Sequence, residues 1–571
     1  MRYPKLSSLA LFVAMSASPG LAQLTLDQKF ADFQALTALY AKRYGPMEWK
    51  RDALGVDLFN IGPWLEKVQA SKDDLDFYEV MSEYVASLND AHSGYQLPAN
   101  FQASMGFGVD LYDGKLLVDS ISRSRLPASD FGFQIGYELV SIDGQDAQKI
   151  LDGLLRYEIG ANPRSTRRLA ATLLTSRPQS LMPHAASVPD ASSVVFRTPS
   201  GDLQTYAIPW LKTGLPLTSV GQYITPGATG ASARPAAAEF EPTDDQQPAY
   251  LEVLNRLQNC RLPDRAVLGF GAQAPVFTAS LLPGFTQRLG KSSAEIFYSG
   301  VFDVGGRKLG YIRIPSFTPS STTLGGALFQ AEIAYFQANT DALVVDVMRN
   351  PGGNGAYVNS LLSYLMPTQW SSIPFELRAT SDWVVAISSS VVAASAVADQ
   401  HTVDLLNAIK NEIVAANHAM RGRTNPIPLD DIVIDRQPAT DAKGNVIAYT
   451  KPITVLVDEM TASAGDIFAA TIQDNARGQL FGWRTMGAGG NVEGWEAGSY
   501  SLGGATVTES LMRRKNPIVT DEYPAAPYVE NIGVRPEIVV DYMTRDNLLQ
   551  GGKPFLDALV SAVSAQIQKG K

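Results

Sequence analysis

The stretch ITVLVDEMTASAGDIFAATIQDNA, residues 453–476, decides the fold class. Ile453–Val457 is a continuous apolar run of the kind that forms a parallel strand covered on both faces. Residues 464–476 have a helical pattern, and a short turn separates them from the strand. Because a buried strand runs directly into a helix, the sequence predicts a layered α/β domain.

The same alternation of strands and helices begins near residue 296. Predicted strands cover 308–314 and 342–347, and predicted helices cover 327–337 and 358–365. An amphipathic helix interrupts the alternation, and its apolar positions are Leu405, Leu406, Ile409, Ile413 and Val414. We interpret residues 296–571 as one α/β core with a helical insertion at about 388–435, suited to a lid or to self-association.

Two further regions precede this core. Residues 23–98 repeat apolar side chains at helical spacing and are predicted to be helical, with His92 in a loop. Residues 99–215 alternate short strands with glycine turns, in an order that resembles a PDZ domain, although Tyr137 stands where that domain usually has an aspartate. A PDZ-like module binds an extended peptide as an added strand.

Residues 216–295 are predicted to be a linker region. Its segment 225–247 is rich in Ala, Pro, Gly and Ser without an apolar period, which indicates a loop or a processing site. Cys260 is the only cysteine, so the chain can form no internal disulfide.

The N-terminus has the pattern of a signal peptide over residues 1–22. Arg2 and Lys5 precede a short apolar run, and the small residues at 20–22 predict cleavage before Gln23. Because no apolar run approaches the ~18 residues that a membrane span needs, we expect a secreted or periplasmic protein without a membrane anchor. The net charge of −10 argues against nucleic acid as a partner.

The turn of the opening stretch holds a serine, Ser463, in the segment Thr461-Ala462-Ser463-Ala464-Gly465-Asp466. Its position exposes the hydroxyl at the carboxyl edge of the predicted sheet. The N–H of Ala464 would begin a helix, where negative charge is stabilised. However, Ser463 with Asp466 three residues later also fits a helix capping box, which needs no chemistry.

A glycine pair follows the predicted strand 342–347, in Asn350-Pro351-Gly352-Gly353. Glycines let backbone N–H groups approach a bound group closely, so Gly352 and Gly353 are candidate hydrogen-bond donors. The Lys-Ser/Thr of a phosphate-binding loop is missing. An ordinary tight turn would also explain this segment.

The four histidines are His92, His184, His401 and His418, and none has the spacing of a metal site. His92, in Asp90-Ala91-His92, is a candidate general base, although a histidine just past a helix can also complement the helix dipole. His401 and His418 are predicted to be exposed.

Together, these segments resemble the C-terminal-processing and tricorn-type serine peptidase family. The resemblance implies a crotonase-like (ClpP/crotonase-type) layered α/β catalytic core over 296–571, with a PDZ-like β-rich domain upstream. It further implies a protein or peptide substrate, no metal and no organic cofactor. One branch of the family uses a lysine base in a glycine-rich turn, but Ala488 occupies that position here.

The Ser-His-Glu branch, which includes tricorn and the chlamydial protease-like activity factor, is therefore the nearer likeness. It implies Ser463 as the nucleophile, His92 as the general base and Glu530 as the acid that orients the histidine. The oxyanion hole would consist of the N–H groups of Ala464 and of Gly352 or Gly353. A direct or water-mediated contact between His92 and Glu530 is expected, and a homo-oligomer is compatible with the family.

Two alternatives stay open. The same fold occurs in non-catalytic modules that bind apolar ligands, so the chain could be a peptide- or apolar-ligand-binding protein. The joint presence of Ser463, His92 and Glu530 favours the enzyme. The chain could also be a zymogen that the 225–247 loop keeps inactive.

Overall fold

The computed structural model describes residues 23–219, 276–292 and 295–569. The predicted signal peptide, the 225–247 loop and Cys260 lie outside these ranges. Within them, no helix combines the length and the apolar character that crossing a membrane requires.

The helices of the described residues lie in the N-terminal region, in the PDZ-like region and around the core sheet. They are α1 (Leu26–Arg43), α2 (Met47–Leu54), α3 (Gly62–Ala70), α4 (Asp74–Ala86), α5 (Ala147–Leu154), α6 (Pro163–Thr172), α7 (Thr322–Asn339), α8 (Gly355–Ser363), α9 (Ser381–Ala396), α10 (Gln400–His418), α11 (Ala464–Asp474), α12 (Arg545–Leu549) and α13 (Lys553–Lys569).

The strands of the first half are short and mostly antiparallel. They are β1 (Gly94–Gln96), β2 (Gln102–Ser104), β3 (Phe107–Tyr112), β4 (Lys115–Ile121), β5 (Glu138–Ile142), β6 (Gln145–Asp146), β7 (Ser176–Pro178), β8 (Ala191–Arg197), β9 (Leu203–Pro209) and β10 (Leu211–Thr213).

The strands of the second half build the core sheet and three smaller sheets. They are β11 (Thr286–Leu289), β12 (Tyr298–Val304), β13 (Arg307–Arg313), β14 (Ala342–Asp346), β15 (Trp370–Ser371), β16 (Phe375–Leu377), β17 (Asp435–Arg436), β18 (Ile453–Val457), β19 (Gln479–Gly482), β20 (Val492–Glu496), β21 (Gly504–Thr508), β22 (Ser510–Ile518), β23 (Ala526–Tyr528) and β24 (Ile538–Val539).

A seven-stranded sheet in the order β11-β12-β13-β14-β18-β19-β24 forms the core. Within this sheet, β13, β14, β18, β19 and β24 pair in parallel, each with the next. Every residue of β14 and β18 is buried, because helices cover both faces of the sheet. Val345 and Val455 pack with α7, α8 and α11, whereas Val344 and Leu456 pack with α13. The predicted layered α/β domain is confirmed.

The helical insertion is a hairpin of α9 and α10, and α9 begins at Ser381, before the predicted boundary. After Asp382, α9 contains no charged residue and is not clearly amphipathic. Its sequence therefore has no helical periodicity from which the helix could be predicted. Helix α10 contains the predicted amphipathic stretch and buries Leu406, Ile409 and Ile413.

The PDZ-like region is built on a six-stranded sheet in the order β3-β4-β5-β8-β9, with β6 paired to β5. Its core contains stacked aromatic rings, in which the centroids of Phe133 and Phe196 are 4.4 Å apart and Phe107 meets Phe196 edge-on at 5.4 Å. Helices α5 and α6 complete this region.

The N-terminal helices pack directly on the core domain. Strand β1 pairs antiparallel with β21, and the hydroxyl of Tyr40 on α1 donates to the carbonyl of Thr506 at 2.6 Å. The loop that contains His92 lies between α4 and β1. His92 is therefore held at the edge of the core, although it belongs to the N-terminal segment.

A buried charged network joins the PDZ-like region to the core. Arg168 on α6 donates to Asp110 of β3 at 2.6 Å and to Glu459 of the core at 3.0 Å. Arg168 is about 2% exposed and Glu459 is fully buried. Because Glu459 is only four residues before Ser463, this network supports the strand-to-helix turn from the side of the PDZ-like region.

Substitution Arg168→Met should destabilise the protein by about 3–5 kcal/mol, because it leaves the buried Asp110 without its cation and leaves Glu459 with Arg164 alone. Arg167→Met is the matched control, since Arg167 makes an exposed ion pair with Asp152 and should cost about 1 kcal/mol or less. Urea unfolding measures both; equal midpoints for the two variants would contradict the prediction.

Candidate active site

Ser463 occupies a strained turn between β18 and α11. Its backbone has φ 54° and ψ −118°, a conformation that L-residues rarely adopt and that costs roughly 1–3 kcal/mol. The half-buried Ser463 side chain makes no capping hydrogen bond to α11. A capping box has two hydrogen bonds, one to the serine hydroxyl and one to the acidic side chain. Here only the second is present, from the N–H of Ser463 to Asp466, and the serine hydroxyl takes no part.

Asp466 holds this turn against a second turn. Its fully buried carboxylate accepts hydrogen bonds from the N–H of Ser463, from the hydroxyl of Thr485, and from the N–H groups of Gly487 and Ala488 at 3.2 Å each. Burial raises the pKa of Asp466 to about 7, and the hydrogen bonds oppose this rise. The glycine-rich turn near Ala488 is thus tied directly to the serine turn.

The glycine pair lies directly against Ser463. Gly352 has φ 101° and Gly353 has φ 133°. A Cβ added to Gly352 would lie 2.6 Å from the Cβ of Ser463 and 2.9 Å from the amide nitrogen of Ala464. The backbone of this loop can therefore come so close to the serine only because residue 352 has no side chain.

The predicted oxyanion donors differ in availability. The N–H of Gly352 donates to the side-chain oxygen of Asn350 at 2.8 Å. Among the described residues, nothing accepts a hydrogen bond from the N–H of Gly353 or Ala464. Ala464 opens α11, so its N–H also lies at the positive end of a helix dipole.

His92 is buried, with 1% of its surface exposed. Asp90 shapes its loop, because the Asp90 carboxylate accepts from the backbone N–H of His92 at 2.9 Å, from the hydroxyl of Thr508 at 2.9 Å and from that of Tyr44 at 2.8 Å. Burial lowers the pKa of His92 to about 4; Asp90 opposes this shift, and Lys50 adds to it. The ring is therefore neutral at neutral pH and able to accept a proton.

Glu530 is also fully buried. One carboxylate oxygen accepts the N–H of Gly489 at 2.9 Å, and the other accepts Nζ of Lys50. Burial raises the pKa of Glu530 to about 7, Asp90 raises it further, and Lys50 opposes the rise. The predicted contact between His92 and Glu530 stays a prediction, but Asp90 and Lys50 act electrostatically on both residues.

Lys50 on α2 is a component of the site that the sequence analysis missed. Its buried Nζ donates to Glu530, to the side-chain oxygen of Asn531 at 2.8 Å and to the carbonyl of Asn89 at 2.8 Å. The side-chain amide of Asn531 also donates to the carbonyl of Asn89 at 2.8 Å. Lys50 and Asn531 therefore join the Glu530 segment to the loop that leads into His92.

The four predicted segments form one connected arrangement. The loop of His92 is joined to Glu530 through Lys50, and Glu530 is joined to the glycine-rich turn through Gly489. That turn is joined through Asp466 to Ser463, against which Gly352 packs. His401 and His418 are exposed, as predicted.

One group of side chains in the described residues has ligand atoms close enough for a metal ion: Asp73, Asp76 and His184, within 4.8 Å of one another. Ordinary contacts account for this group. Asp73 caps α4, and the exposed ring of His184 meets Asp76 at 3.1 Å. None of the residues around Ser463 belongs to it.

Comparison with known proteins identifies the class of this chain. Residues 308–538 match the profile of peptidase family S41, and residues 101–216 match that of a PDZ domain. The S41 match includes Ser463, the glycine pair and Glu530, whereas His92 lies outside both matches. The chain is a serine-type peptidase. It combines an S41 peptidase domain with a PDZ domain.

Similar chains extend over nearly the whole protein. A Chlamydia pneumoniae protein is 24% identical over 617 residues, which cover 96% of this chain and 91% of that protein. A Chlamydia trachomatis protein is 25% identical over 596 residues, which cover 95% and 93%. The carboxyl-terminal-processing protease of Picosynechococcus is 23% identical over 34% of this chain and 32% of that protein.

The solved structure of mature CPAF has the same fold. It superposes with a TM-score of 0.73 at 21% identity and covers 95% of this chain and 98% of that one. CPAF complexed with lactacystin gives a TM-score of 0.71 at 22% identity, with 95% and 99% covered. The S41 and PDZ matches confirm the predicted family resemblance and favour the peptidase over the carrier considered above.

Substitution Gly352→Ala should abolish peptidase activity, because the new methyl group would occupy the space between Ser463 and the N–H of Ala464. Gly326→Ala on α7 is the matched control, since a Cβ there meets nothing within 4 Å. Hydrolysis of a casein substrate measures both variants, and circular dichroism checks that they fold. A folded Gly352→Ala variant with full activity would contradict this reading of the loop.

Proposed function

We propose that this chain is an exported serine endopeptidase that works through an acyl-enzyme, with Ser463 as nucleophile, His92 as general base and Glu530 as orienting acid. The observation that carries the proposal is the strained Ser463 turn, whose hydroxyl makes no capping hydrogen bond and whose neighbour is the glycine loop. A serine held in this way costs stability without serving the helix, which is typical of a residue kept for chemistry.

In the first step, Oγ of Ser463 attacks the carbonyl carbon of the scissile peptide bond while His92 takes the hydroxyl proton. Negative charge develops on the carbonyl oxygen. The N–H groups of Ala464 and Gly353 stabilise this oxyanion, because both are available as donors whereas that of Gly352 is engaged by Asn350. Each such donor contributes on the order of 10²–10³ in rate.

In the second step, protonated His92 gives its proton to the leaving amine, and the C–N bond breaks to leave an ester on Ser463. Water then attacks the ester with His92 again as base, and Ser463 is regenerated. Ionised Glu530 stabilises the protonated imidazole, directly or through water. Lys50 keeps the buried Glu530 carboxylate charged, which acts against its raised pKa.

The surrounding organisation extends the same proposal. We assign the core to the crotonase-like type, because its strands β13, β14, β18, β19 and β24 are parallel and helices cover both faces of the sheet. Export would follow from the signal-peptide pattern of residues 1–22. The substrate is a protein or peptide, and the PDZ domain would bind an extended segment of it by strand addition.

Substitution Ser463→Ala should lower kcat/KM at least about a thousandfold, and His92→Ala and Glu530→Gln should also cripple turnover. Ser463→Gly should be equally inactive but at least as stable as the parent, since glycine adopts φ 54° without strain. A fluorophosphonate probe should label the parent at Ser463. The exposed His401→Ala serves as the control for His92→Ala; full activity of folded Ser463→Ala would refute the nucleophile.

Substitution Lys50→Met should shift the acid limb of the kcat/KM profile to higher pH. Without Nζ of Lys50, the pKa of Glu530 rises above about 7 and the pKa of His92 rises from about 4, so both essential forms require more alkaline conditions. Lys29→Met is the control, because buried Lys29 bonds to Ser71 and Asp73 instead. Lys29→Met should lower stability without shifting the acid limb. An unshifted acid limb in Lys50→Met would show that Lys50 does not act on the catalytic groups.

A further inference from the structure

Asp430 stands close to the glycine loop but has no part in the mechanism above. Its carboxyl atoms lie 2.1–2.4 Å from the position that a Cβ on Gly355 would take. Gly355 is the first residue of α8, and it directly follows the Asn350–Asn354 loop. The half-buried Asp430 side chain therefore packs on the backbone of this helix start, where any larger residue would displace it.

The Asp430 carboxylate has no hydrogen bond and no ion pair within the described residues. This is unusual, because carboxylates that lose water are normally paired. Its neighbour Asp431, in contrast, pairs with Arg436 at 2.6 Å. Burial raises the pKa of Asp430 to about 7, and the charge of Asp431 raises it further. Arg436 thus balances Asp431, whereas no cation of the described residues pairs with Asp430.

Capping of α8 does not account for the position of the Asp430 carboxylate. Asn354 already caps α8 through a hydrogen bond from the N–H of Tyr357 at 2.8 Å. Asp430 accepts nothing from the helix N–H groups, so it gains only the favourable dipole interaction. A carboxylate whose only role was to stabilise α8 would be expected to accept a hydrogen bond from one of the helix N–H groups.

The distance between Asp430 and Ser463 is limited, because the short segment from Gly352 to Gly355 connects their surroundings. Gly352, which packs on Ser463, is three residues from Gly355, so their Cα atoms are at most about 11 Å apart. The loop between them is pinned, because Phe317 donates to the carbonyl of Gly352 at 2.8 Å and accepts from the N–H of Asn354 at 3.1 Å. A long side chain next to the scissile bond can cover this span.

We propose that Asp430 determines substrate specificity by binding the cationic side chain of a lysine or arginine residue next to the scissile bond. The carboxylate oxygens accept N–H groups of the guanidinium or ammonium, and the substrate supplies the paired cation that Asp430 does not have among the described residues. This inference rests on the proposed function of Ser463 and names a substrate class for it: proteins cut beside basic residues.

The test compares acetylated peptides that differ in one residue, arginine against the neutral isostere citrulline, at each position next to the scissile bond. At one position the parent enzyme should prefer arginine by about tenfold or more in kcat/KM, as expected for a hydrogen-bonded ion pair. Asp430→Asn should bring this ratio close to one. Asp431→Asn is the matched control and should keep the preference.

Three results would overturn the proposal. The first is equal rates of the parent enzyme on arginine and citrulline peptides at every position, and the second is an unchanged preference in Asp430→Asn. The third, from an assay of the same peptides with free N-termini, is a preference for the free N-terminus instead of for a basic side chain. The first comparison needs no variant, so it decides even if Asp430→Asn fails to fold. Loss of fluorophosphonate labelling at Ser463 would instead count against the proposed function.

Discussion

The buried carboxylate of Asp466 is the contact on which the geometry around Ser463 depends. It binds the N–H of Ser463 in its strained conformation and, at the same time, the turn that contains Gly487 and Ala488. Since that turn binds Glu530 through Gly489, one side chain fixes the distance between the serine and the acidic segment. Strain at a single residue persists only where several contacts hold it in place, as they do here.

Charge buried away from water organises the rest of the molecule around this turn. Lys50 bonds to Glu530 from the N-terminal helices, and Arg168 bonds to Glu459 from the PDZ domain. Each pair costs desolvation and is stable only when both partners are present in good geometry. The core therefore receives buried cations from both of the regions that precede it, and the three parts depend on one another.

The sequence predicted what local pattern can encode. The apolar runs of β14 and β18 and the turn residues Ser463 and Gly352 are visible because neighbours along the chain define them. Lys50 was not predictable, because its partner Glu530 is 480 residues away and α2 has no distinguishing pattern. Asp430 was missed for a related reason, since its isolation is a property of the folded surroundings and not of its sequence neighbours.

The distance along the chain between Lys50 and Glu530 also sets an order of events. Folding that begins at the N-terminus during synthesis can form the helices and the PDZ domain early. The arrangement of His92, Lys50 and Glu530 cannot exist until the segment after β23 has been made and has docked. A chain that ends between Ser463 and Glu530 would carry the proposed nucleophile without its proposed acid, so the mechanism proposed above requires synthesis beyond residue 530.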